Sequence, residues 1–87
     1  MNSGEIVITG KADGFAQEVV AGTHRFKADE PTDVGGTDTG PSPYDLLLAA
    51  LGACTSMTVG MYARRKGWPL ENVTVWLKRS RVYASDS

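Results

Sequence analysis

The sequence predicts an α+β domain in which an antiparallel sheet wraps one long central helix. Two observations carry this expectation. Residues 1–28 fall into short β-branched or alternating runs separated by glycine turns, the pattern of a β-meander. Residues 43–66 then form one apolar, cleanly bounded stretch with no charged side chain between Asp45 and Arg64, the pattern of a buried helix.

The first run, residues 6–9, is β-branched throughout, and Asp13-Gly14 stands in the position of a hairpin turn. Over residues 15–20, Phe15, Gln17 and Val19 oppose Ala16, Glu18 and Val20. Ala21-Gly22 turns the chain into residues 23–28, where His24, Phe26 and Ala28 share one face and Thr23, Arg25 and Lys27 the other. Residues 29–42 are rich in turn formers and acids, so they read as a loop. That loop lacks a phosphate-binding glycine motif and EF-hand spacing. Asp33 and Asp38 read as solvated loop acids, and no metal site is expected.

The helix over residues 43–66 has a well-specified start and stop. Ser42 is a natural N-cap, Pro43 fits the first helical position, and Asp45 stands three residues after Ser42 as a capping-box partner. Arg64, Arg65 and Lys66 occupy the last turn, Gly67 suits the left-handed C′ position, Trp68 can fold back, and Pro69 prevents continuation. Gly52, Ser56 and Gly60 make a stripe of small residues that admits a second helix or a sheet at close range. After the helix, alternation from Val73 predicts a long strand over residues 72–84, an edge in need of cover.

Eighty-seven residues make one domain with a modest core. The net charge of −1 gives no electrostatic case for nucleic acid. The first ten residues show no basic-then-apolar leader, so a cytoplasmic location is expected, and the small residues diluting the helix argue against a membrane span. An uncharged helix covered by about four strands cannot be buried on all sides within one chain, so a homodimer is expected. The single cysteine, Cys54, excludes an intrachain disulfide and a multi-cysteine zinc site; it is either a buried small hydrophobe or a reactive thiol.

Across GTDTGPSPYDLLLAALGACTSMTVGMYARRKGWPLENVTV the sequence resembles the OsmC/Ohr family, small thiol-dependent enzymes that reduce organic hydroperoxides. The Gly-Thr-Asp loop, the Ser-Pro helix start, Ala53-Cys54 and the Lys-Gly-Trp exit occur in family order and spacing. The resemblance implies sheets wrapped on a central helix, two chains intertwined as an obligate dimer, and Cys54 as the peroxidatic cysteine. It also implies that these residues correspond to the N-terminal part of the family domain, a truncated OsmC-like fold whose second, resolving cysteine lies beyond them. Two positions differ from the family pattern: Tyr44 stands where family peroxidases carry a glutamate, with Asp45 displaced by one residue, and the first hairpin turn reads Lys11-Ala12-Asp13-Gly14 in place of an arginine.

A peroxidatic cysteine acts as a thiolate. Cys54 lies about three turns inside the helix, beyond strong influence of the macrodipole, and burial on its own raises a thiol pKa. A cation must therefore reach it, and Arg25 is the best candidate, with Lys11 and His24 behind it. Asp45 is the candidate replacement for the family carboxylate. Tyr44, Leu47, Leu48, Met57 and Met61 are most simply core, and in a dimer groove they can hold an apolar hydroperoxide or another apolar ligand. No cofactor is expected; turnover needs an external dithiol or a second copy's thiol. Two readings stay open, a one-cysteine thiol peroxidase and a non-catalytic homodimer that binds an apolar ligand or is a decayed enzyme half.

Overall fold

The computed structural model describes residues 4–78. It has an α+β fold with a three-stranded antiparallel sheet followed by one long helix. The chain divides into two compact units, one ending at Leu46 and the other beginning at Leu47.

The first unit holds the meander. Strands β1 (Ile6–Gly10), β2 (Gln17–Ala21) and β3 (His24–Ala28) pair in sequence order. Ile8 stands opposite Val19, and Val19 opposite Phe26, so these three share a face, as the alternation predicts. Val19 and Ala28 are the buried apolar residues of this unit among those described. The second hairpin turns at Gly22-Thr23, between the paired Ala21 and His24, one residue later than the sequence reading set it. Gly22 has φ 64, the positive value that a tight hairpin turn requires at its first position. The loop contains a single 3₁₀ turn, Thr32–Val34.

Helix α1 spans Pro43–Lys66, the bounds expected from its caps. The capping box forms: Asp45 N–H donates to Ser42 Oγ at 3.1 Å, and Ser42 N–H donates to Asp45 Oδ2 at 3.2 Å. At the other end Gly67 has φ 72 and donates to the Arg64 carbonyl, while Trp68 N–H donates to the Ala63 carbonyl, the two bonds of a Schellman stop. Trp68 folds back edge-on to Tyr62, with ring centroids 5.6 Å apart, and Lys66 Nζ lies 5.4 Å from the centre of the Tyr62 ring.

One expectation requires correction. Residues 72–78 pair with no described strand, so the part of the expected strand 72–84 that the structure describes is not formed; residues 79–84 lie outside the described residues. A strand exists through its ladder bonds, and the described sheet contains only β1, β2 and β3. The helix is largely exposed within one chain, as its lack of charged residues and the few strands available predict: Ala63 is its one buried residue. Within the second unit the Gly52 position lies against the side chains of Val75 and Leu77. The small-residue stripe is therefore met at Gly52 by the chain's own following segment.

Candidate functional site

Cys54 lies on α1 and is exposed. Helical periodicity puts Leu47, Ala50, Leu51, Met57, Thr58 and Met61 around it, at seven, four and three positions to either side. All of these are exposed, Met57 by 73%. The half-buried Leu48, Gly52, Ser56 and Gly60, with the buried Ala63, run along the opposite side of the helix. Cys54 thus stands at the middle of an uncharged helix face whose residues, Leu47, Met57 and Met61 among them, are exposed. Leu48 lies off that face. Tyr44 is exposed on the first turn.

The charged candidates are engaged elsewhere. Asp45 is held in the capping box, and nine residues of α-helix separate it from Cys54, about 13 Å of axial rise. Arg25, on β3, places Nη1 3.6 Å from Glu18 Oε2, and both side chains are more than half exposed. Such a pair contributes at most about 1 kcal/mol and exchanges readily. His24 is exposed at the start of β3, and the Lys11 carbonyl accepts from Gly14 N–H in the first hairpin turn. A cleft of about 510 Å³ opens beside the first hairpin loop, lined by residues that include Thr9, Lys11, Asp13, Gln17, Glu18 and Lys27. None of the residues expected to bind ligand lines it.

The most constrained polar group is one that the sequence reading passed over. Asp29, directly after β3, is only 2% exposed. Its Oδ2 accepts from Thr37 Oγ1 at 2.6 Å and Thr39 Oγ1 at 2.7 Å, and from the N–H groups of both threonines at 3.2 and 3.1 Å. Its Oδ1 accepts from Glu30 N–H at 2.7 Å. The hydroxyl bonds of Thr37 and Thr39, with backbone donors behind them, hold the carboxyl well below its ordinary pKa against the opposing effect of burial. The available signal is an acid ending a strand, followed by a Gly-Thr-x-Thr-Gly segment able to present several donors at once.

The Gly-Thr-Asp-Thr-Gly loop, the capped helix start, the helical cysteine and the Gly-Trp stop define a helix-borne thiol on an α+β scaffold. The sequence model of the OsmC-like protein family matches residues 36–85, and the chain belongs to that family. No curated protein and no solved structure matches the chain.

Proposed function

We propose that the protein is a one-cysteine thiol peroxidase, active as a homodimer in the cytoplasm, that reduces organic hydroperoxides of the kind handled by Ohr-type enzymes. The observation that carries this reading is the exposed Cys54 at the centre of an apolar helix face. An apolar hydroperoxide has surface to bind there, and the thiol needs no opening of a core to meet it.

The Cys54 thiolate attacks the outer peroxide oxygen and the O–O bond breaks, leaving a sulfenic acid at Cys54 and, after protonation, an alcohol. One sulfur of an external dithiol then displaces hydroxide, which leaves as water, to form a mixed disulfide. The second sulfur releases Cys54 as thiol and closes the dithiol's own disulfide. The sum is hydroperoxide plus dithiol giving alcohol, water and disulfide. Leu47, Met57 and Met61, with Tyr44 and Leu48 at the margins, contact the apolar part of the substrate. Arg25, from the same chain or from a second copy, supplies the cation, since its exposed pair with Glu18 costs little to exchange. Asp45 contributes by holding the start of the helix; a direct role would require it to release Ser42.

By length and composition α1 is also apolar enough to cross a membrane. Its Gly52, Thr55, Ser56, Thr58 and Gly60, and its family, favour protein as the cover.

A second reading has its own support. Asp45 and Arg25 are both bonded away from the thiol, which favours a non-catalytic homodimer that binds an apolar ligand across the same face. Consumption of an organic hydroperoxide with a dithiol reductant, beside Cys54→Ser, separates the two.

A further inference from the structure

Residues 30–41 leave β3 and come back to it. The Asp29 N–H donates to the Pro41 carbonyl at 3.0 Å, so the last residue before the helix N-cap lies beside the first residue after the strand. Between these points the segment is drawn inward at several places. Asp38, at φ 57, donates its N–H to the Glu30 carbonyl at 3.1 Å. Gly36 and Gly40 approach the carbonyls of Glu30 and Lys27 so closely that a Cβ at either would collide with them. Phe15, from the first hairpin loop, covers Gly35. At the centre of this strap the Asp29 carboxylate accepts five bonds, four of them from the two threonines on the returning limb.

We propose that Asp29 is a positioning residue, a buckle that fixes where α1 begins by fastening the strap through Thr37 and Thr39. Two chain-direct links lead from it to the helix: the Pro41 carbonyl bonded to Asp29 N–H, and Ser42, the next residue, which caps the helix through Asp45 and Leu46. Opening the buckle frees the limb that holds Pro41, and the first turn of α1 loses its anchor on β3. The inference stands whether or not Cys54 reacts with hydroperoxides.

Amide hydrogen exchange of the full chain tests it, comparing wild type with Asp29→Asn, whose amide group turns a donor toward donors. The expected result is at least about tenfold faster exchange at Thr39, Asp38, Asp45 and Leu46, with Val7 and Val20 of the β1–β2 pair unchanged. A Thr39→Val variant keeps the carboxylate and removes one hydroxyl donor; it is expected to give the same pattern at smaller amplitude, and it serves alone if Asp29→Asn does not fold. Faster exchange in the strap with Asp45 and Leu46 unaffected would overturn the proposal, as would an equal loss of protection at Val7 and Val20.

Discussion

Ser42 and Asp45 bond each other twice across the first turn of α1, Asp45 N–H donating to the Ser42 hydroxyl oxygen at 3.1 Å and Ser42 N–H to the Asp45 carboxylate at 3.2 Å. The pair satisfies two backbone donors where a helix leaves its first four without partners. Ser42→Ala is expected to lower stability by about 1 kcal/mol in urea unfolding, and Ser42→Thr to retain most of it. An Ala variant as stable as wild type would show that this cap contributes nothing.

The helix stop depends on backbone sign. Gly67 has φ 72, a conformation that costs a side-chain-bearing residue about 1 kcal/mol. Gly67→Ala is expected to destabilise by that amount, and Gly67→Asn by less, because asparagine tolerates the left-handed region. Thermal unfolding of the three proteins at matched concentration checks the ranking.

The lowered Asp29 pKa has a definite sign. The unfolded chain binds the proton more readily than the folded one, so stability rises with pH across the interval. The contribution is present above the ordinary value of 3.8 and is lost as pH falls below it toward the folded value. Wild type is expected to lose stability steadily below about pH 4, and Asp29→Asn, already weakened at neutral pH, to show a flatter dependence there. Parallel curves for the two proteins would assign the acid sensitivity to other carboxylates.

The exposed face of α1 predicts association. Met57, three positions from Cys54, is 73% exposed, and Leu47 and Met61 continue the same apolar surface. Sedimentation equilibrium at micromolar concentration is expected to give a dimer for wild type and for Cys54→Ser, and a monomer or weakened dimer for Met57→Lys. A cooperatively folded wild-type monomer would contradict the homodimer.

Local signals in the sequence read out well because each is a short-range rule. Ser42 with Asp45, and Gly67 with Trp68, set the helix bounds without help from tertiary contacts, and the alternation around Val19 and Phe26 gave the strand faces. What failed depended on contacts between distant segments. The strand expected from residue 72 needs a ladder partner, which composition cannot supply. Asp29 was missed for a related reason: its donors lie eight and ten residues away, joined by a turn-rich loop whose closure no periodicity reports. At the candidate site the position of Cys54 was legible, and its surroundings were not.

The most direct measurement is consumption of an organic hydroperoxide by the purified protein with a dithiol reductant, run beside Cys54→Ser and followed by intact mass. Turnover that vanishes in the variant is expected, with one added oxygen on the wild-type chain when peroxide is given without reductant. No consumption, with the Cys54 thiol unchanged in mass after peroxide, would contradict a thiol peroxidase and leave the non-catalytic homodimer as the reading of this fold.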